Sequence, residues 1–151
     1  MMHHYIESGL DNVYLIDGVD FCETAYGRAV SIHDTEGLHK AIGLWIVDAP
    51  KPINGAELRF LRLELELTQR DLAGILGAQE QTLRLWEKAR GKPIPGPADR
   101  LLRAFYRETT TGDGSVKRMV ERLASLDQQP ATPIRLRETS SGWRVDATPR
   151  Y

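Results

Sequence analysis

The chain is poor in cysteine. Cys22 stands alone among 151 residues, which excludes an internal disulfide framework and a zinc site built from cysteine pairs. Long apolar runs are also missing. No stretch approaches the roughly 18 residues that a membrane-crossing helix needs, and no secretory leader is read at the N-terminus. A cytoplasmic protein with no membrane partner is expected. Catalytic signatures are scarce as well. No Ser/His/Asp order, carboxylate pair or phosphate-cradling glycine loop stands out, so no enzyme and no cofactor are expected. His3, His4, Cys22, His33 and His39 are the conceivable ligands, but His33 and His39 show no recognised ligand spacing and His3 and His4 lie in a terminus expected to fray, so no metal is expected.

Net charge is nearly absent, at −1, but it is unevenly spread. Residues 1–50 carry two Lys+Arg against eight Asp+Glu. Residues 51–111 carry eleven against eight, and residues 112–151 seven against five. An acidic head and a mildly basic middle suit a polyanion in the middle and a different partner at the head. A chain of this length can bury a real core as one or two small domains.

The most informative stretch is GAELRFLRLELELTQRDLAGILGAQEQTLRLWEKARG, residues 55–91. Thr68 can cap a helix, with Asp71 three residues on. Leu72, Ala73 and Leu76 then share one face, and Gly77 supplies a sharp turn. A second helix starts near Gln79. Leu83 and Trp86 point inward, while Gln79, Glu80, Gln81 and Arg84 point elsewhere. A surface helix with a glutamine-rich leading turn and basic neighbours suits the major groove of DNA.

These residues resemble the lambda-repressor/Cro-like (XRE) family of helix-turn-helix DNA-binding domains, over residues 55–107. LTQRDLAGILG matches the family's Leu-Thr-Gln, Leu-Ala and Leu-Gly positions, and TLRLWEKARG matches the end of its recognition helix. The resemblance implies that Gln69 holds a phosphate and that Gln81 reads bases. It also implies that Arg62 and Glu87, beside Trp86, form an ion pair fixing the angle between helices. Residue chemistry adds further expectations. The Gln81 amide can meet adenine N6 and N7 together, and Glu80, beside Gln79, can accept from cytosine N4. Thr82 suits a phosphate or a thymine methyl, and Arg84 a guanine or the backbone. Lys88, Arg90 and Lys92 are expected to follow the phosphates. Two departures from the family stand out. Leu85 occupies a position that is often polar, and Gln79 replaces the usual serine cap.

The head, residues 1–50, is expected to be a small α/β domain. Asn12 to Ile16 reads as a strand, Asp17-Gly18 as a hairpin turn, and Val19 to Thr24 as its return. Arg28 to Ile32 is a further strand. Asp34 or Thr35 can cap a helix from Glu36 to about Val47, with Leu38, Ile42, Trp45 and Ile46 on the face that covers the sheet. YIESGLDNVYLIDGV…GRAVSIHDTEGLHKAI resembles the N-terminal part of MqsA-type antitoxins, whose cysteine pairs often bind zinc. Here the pairs are absent, Ser8 stands where a cysteine is expected, and a zinc-less domain follows. Pro50 and Pro52 mark a linker.

Beyond the central stretch, Pro97 fits the first turn of a helix bearing Leu101, Leu102, Phe105 and Tyr106. Ser115 can cap another helix, Val116 to Leu126. Residues 133–147 alternate around Ser-Ser-Gly and read as a hairpin that needs something to dock on. The expected fold class is thus α+β. A sheet-plus-helix domain (1–50) precedes an all-α helix-turn-helix domain (51–111), and a C-terminal helix and β-hairpin (112–151) follow. The expected function is a DNA-binding transcriptional regulator, the antitoxin of a type II toxin–antitoxin pair that represses its own operon. It would act as a homodimer on double-stranded operator DNA, with a toxin bound by the head. Two alternatives stay open. One is a plain XRE-type repressor whose head senses a ligand or dimerises. The other is a protein-interaction module that does not bind DNA.

Overall fold

A computed structural model describes residues 2–112, 115, 117–118 and 133–146. It is a mixed α+β structure in which three small antiparallel ribbons flank a bundle of helices. None of the described helices is long and apolar enough to cross a membrane. The helix expected from Val116 to Leu126 falls for the most part outside the described residues.

The head forms two ribbons. β1 (His3–His4) pairs with β2 (Tyr14–Leu15), and β3 (Val19–Thr24) pairs with β4 (Gly27–Ile32). The turn at Asp17-Gly18 therefore does not join two paired strands; β3 turns back at Ala25-Tyr26 instead. Cross-strand pairing explains the choice. Val19 faces Ile32 and Phe21 faces Val30, so β-branched and aromatic side chains meet directly across the ribbon. Thr24 holds the turn: its hydroxyl accepts from the Tyr26 amide and donates to the Gly27 carbonyl. Leu15 meanwhile turns into the core, which a pairing with β3 would not require. Between β1 and β2, Ser8 closes a 3₁₀ turn, Ile6–Ser8, by donating to the Tyr5 carbonyl at 2.8 Å and accepting from the Leu10 amide at 3.1 Å.

α1 (Thr35–Asp48) is capped by Asp34, whose carboxylate accepts from the Gly37 amide. It does not cover a strand meander. Its main packing partners are α5 (Gly96–Thr111) and α2 (Gly55–Glu64). Ile42, Gly43, Ile46 and Val47 are its buried residues. Gly43 permits the close approach to α5: a Cβ there would lie 2.0 Å from the Tyr106 hydroxyl. Trp45, expected on the covering face, is 56% exposed, and the Lys51 ammonium lies 5.8 Å from its ring centre.

One core cluster takes side chains from both sides of residue 50. It runs from Tyr5, Leu10 and Leu15 through Ile42 and Ile46 to Leu58, Leu61, Leu72, Leu83, Leu102 and Tyr106. The segment across Pro50 and Pro52 is tied down by α5. Arg103 donates to the carbonyls of Val47 and Ala49, at 3.0 and 2.9 Å, and to that of Lys51. The end of α1 thus finds partners for carbonyls that a helix terminus leaves bare. Asp99, 1% exposed, accepts from the Ile53 amide at 2.8 Å and from Arg103 at 2.6 Å. Burial pushes the Asp99 carboxyl up, but hydrogen bonds from Arg103 and Ile53, with the Arg103 charge, hold it below its ordinary value.

At the C-terminal end, β5 (Leu136–Thr139) and β6 (Gly142–Val145) form the hairpin expected around Ser140-Ser141, with Gly142 at φ 111°. Its strand residues are all exposed.

Candidate nucleic-acid interface

α2 begins with a capping box. The Asn54 side chain accepts from the Glu57 amide at 2.9 Å, and Glu57 accepts from the Asn54 amide at 3.0 Å. After α2 the chain turns through Glu66, at φ 57°, into α3 (Gln69–Leu76). Thr68 caps α3, its hydroxyl accepting from the Asp71 amide at 3.0 Å. Gly77 ends it at φ 72°, and the Ala78 amide closes back onto the Ala73 carbonyl at 2.8 Å. α4 (Glu80–Lys88) starts one residue after Gln79, which makes no side-chain cap bond.

The inner face of α4 is fastened in two ways. Leu83 is fully buried against the core that includes Leu72, with Trp86 packed half-buried against the same cluster. Glu87 then receives a two-pronged contact from Arg62 on α2, Nε to Oε2 at 2.7 Å and Nη2 to Oε1 at 2.9 Å. The two side chains are 11% and 5% exposed. A planar fork of this kind fixes direction as well as distance.

Among the described residues, no element covers the outer face of α4. Gln81, Arg84, Leu85 and Lys88 lie at helical positions i, i+3, i+4 and i+7 and are all exposed. Leu85 therefore faces away from the protein, at 56% exposure. Thr82 is half-buried beside this stripe, while Gln79 and Thr68 are exposed at the leading ends of α4 and α3.

The polar residues are also joined to one another. From Glu87, the chain of contacts passes to Gln69 at 3.4 Å, from Gln69 to Arg84 at 3.1 Å, and from Arg84 to Glu80 at 2.6 Å. Arg84 is the donor in both of its contacts. The buried Arg62–Glu87 pair thereby reaches the surface and orients an amide and a guanidinium there. Below α4, Arg90 donates to the Gly9 carbonyl of the head, a contact spanning 81 positions of sequence. A guanidinium has five N–H donors, so Arg90 keeps others for a further acceptor. Lys92 is exposed next to it.

Between Thr68 and Lys92 the chain carries five Lys+Arg against three Asp+Glu, of which Glu87 is buried and paired. The resulting surface is mildly basic, and its donors and acceptors are of the kinds that base edges and phosphates can pair with.

Sequence reasoning did not find Asp99 and Arg103, although their spacing of four on an expected helix is a readable signal. It also missed the Asn54–Glu57 box, which the pattern Asn-x-x-Glu announces. The histidines sit elsewhere. His39 Nδ1 meets Glu64 at 2.7 Å while its Nε2 meets the Tyr5 hydroxyl at 2.7 Å, a link between head and α2. Comparison with protein-family models, curated proteins and solved structures finds no match for this chain.

Proposed function

We propose that the chain is a sequence-specific DNA-binding regulator of lambda-repressor/Cro-like type, in which α3 and α4 form the helix-turn-helix. The observation that carries this reading is the division of α4. Leu83, Trp86 and Glu87 anchor it, and Gln81, Arg84, Leu85 and Lys88 form an exposed outer stripe. A helix held so firmly and offering an amide, a guanidinium, an apolar tip and an ammonium suits a major groove. Gln81 and Arg84 contact base edges. Gln69 and Thr68 meet a phosphate at the start of α3, where the helix N-terminus favours negative charge. Lys88, Arg90 and Lys92 run along the backbone. A single module of this size reads few base pairs, so a homodimer on a palindromic operator completes the proposal. The test is selection from randomised duplex DNA followed by binding at several salt concentrations. A preferred palindrome and an affinity falling steeply with salt support the reading. Weak, salt-insensitive binding would leave only a protein-interaction module.

The antitoxin role belongs to the same proposal. The head carries eight acidic residues against two basic ones, and almost all of the β3–β4 ribbon's side chains are exposed. An open ribbon on a head of this charge suits a basic partner protein such as a ribonuclease toxin. Co-purification with the product of the adjacent gene, and rescue of growth, would support it. Failure of both reduces the protein to a plain repressor.

A second reading of the head has its own observation. Between α1 and the β2 segment lies a cavity of about 310 Å³, walled largely by apolar side chains. It favours a head that takes up a ligand or mediates dimerisation.

A further inference from the structure

Two arginines meet at the seam between head and helices with no acid to balance them. Arg59 lies on α2, and Arg90 follows α4. Two backbone bonds hold the segment after α4 against the start of α2. The Ala56 amide donates to the Arg90 carbonyl at 3.1 Å, and the Gly55 amide to that of Lys92 at 3.2 Å. Arg59 is three residues beyond Ala56, about one turn further along the same face of α2. Both guanidiniums converge on one residue of the head. Arg90 donates to the Gly9 carbonyl, and a Cβ built on Gly9 would stand 3.7 Å from Arg59 Nη1. Gly9 closes the turn Ile6–Ser8 in the left-handed conformation, at φ 84°. Both arginines are exposed. Among the described residues neither forms an ion pair, and Arg59 makes no hydrogen bond. The acids close by in sequence are engaged elsewhere or stand off: Glu7 lies 3.7 Å from His3, Glu57 is taken by Lys51, and Asp11 pairs with neither arginine.

We propose that Arg59 and Arg90, gathered at the Gly9 turn, bind one phosphate of the DNA backbone, so that the head takes part in the DNA interface. The proposal rests on the regulator reading and extends it beyond the helix-turn-helix. Two like charges held beside a single carbonyl repel each other, and an anion between them relieves the repulsion. A phosphate fits the donors, because guanidinium forks match its oxygens in pairs. Arg90 gives one N–H to Gly9 and Arg59 gives none, so both keep donors for a shared ligand. The neighbours point to a polyanion. Lys88 and Lys92, on either side of Arg90 in sequence, are exposed and also lack an ion pair. Four such cations suit a run of phosphates better than a single carboxylate. The Gly9 carbonyl has a positioning role. It holds Arg90 by one prong and so sets the direction of the others before DNA arrives.

The experiment titrates a labelled duplex of random sequence with the full chain at several salt concentrations. Arg59→Gln and Arg90→Gln are each expected to weaken binding and flatten the salt slope. Because the two share one phosphate, the double variant should flatten the slope by about one in all, not two. A fourfold rise in salt then costs the double variant roughly threefold less affinity than the wild type. Arg59→Lys keeps the charge and should keep most of the slope. Arg59 is exposed and makes no hydrogen bond, so its variants should keep the wild-type melting curve. In a second arm, calorimetry with inorganic phosphate and no DNA is expected to show only weak binding, with Kd above about 1 mM. A wild-type chain that binds duplex steeply in salt, with a slope that Arg59→Gln leaves unchanged, would overturn the proposal while the regulator reading stands. A double variant that loses about two would mean separate phosphates and would overturn the shared site. A wild-type chain that binds no duplex would sink the regulator reading and the DNA assignment together. Tight binding of inorganic phosphate, abolished by Arg59→Gln, would then make the pair a site for a free phosphate instead.

Discussion

Replacing Glu87 by Gln tests the fastening of α4 directly. The change keeps the side chain's shape and removes its charge. Arg62 then keeps its bond to the Leu67 carbonyl at 3.1 Å and one bond to the new amide oxygen. Its other prong meets an NH₂ group, donor against donor. Both side chains are nearly enclosed, at 11% and 5% exposure, so water cannot replace the lost partner. Breaking one side of a buried ion pair costs about 3–5 kcal/mol. The bonds that Arg62 retains put this site at the low end, about 3 kcal/mol. For a chain of 151 residues each kcal/mol lowers Tm by about 2–4 °C, which gives a fall of roughly 6–12 °C. Scanning calorimetry or a circular-dichroism melt reads this. The double variant Arg62→Met with Glu87→Leu removes both charges and is expected to melt above the single variant, since no charge is then stranded. An unchanged melting curve for Glu87→Gln would refute the account, and so would a double variant as unstable as the sum of its parts.

Gly43→Ala is expected to cost about 1–3 kcal/mol in a denaturant titration, because its methyl would meet both the hydroxyl and the ring edge of Tyr106, and Tyr106→Phe in the same chain should recover little of the loss, since the ring carbon Cζ stays 2.3 Å from the added methyl. Asp99 predicts an acid limb. Its folded carboxyl is held below its ordinary value, so its contribution is complete above about pH 4 and is lost as pH falls through the folded value. Melting temperature measured from pH 5 to pH 2 should therefore drop, and Asp99→Asn should start lower and lose less. On a selected operator, Gln81→Ala should weaken binding by about 1–3 kcal/mol while leaving non-specific binding and Tm unchanged. Lys88→Ala should weaken binding to all sequences alike and reduce the salt slope by about one. Both are read by titration of labelled duplexes.

The helices from α3 to α5 were legible because their signals are local. Thr68 with Asp71, Gly77 at the turn, Pro97 in the first turn of α5, and leucines three and four apart each act within a turn or two. The head was less legible. Val19 to Thr24 reads as a strand by composition, but composition does not name its partner, and the order of pairing was decided by which face had to enter the core. Trp45 shows the same limit. Helical spacing places it near Ile42 and Ile46, but it stands at the edge of the buried face, where a cavity opens.

The chain's own pattern determined the character of α4: one edge anchored through Leu83 and Trp86, the other carrying Gln81, Arg84 and Lys88 and mildly basic. That follows from a helical period of 3.6 residues, which any reader can apply to the letters. Only the tertiary structure decided what α4 is bound to and what it is free of. On α4 itself the contact is Gln69 to Arg84, and around it Gly9 meets Arg90 and Ile53 meets Asp99. They connect residues that neither periodicity nor capping rules relate. Their partners are brought together only when the core from Tyr5 to Tyr106 closes, because burial of apolar surface, not sequence proximity, sets which polar groups end up within hydrogen-bonding distance.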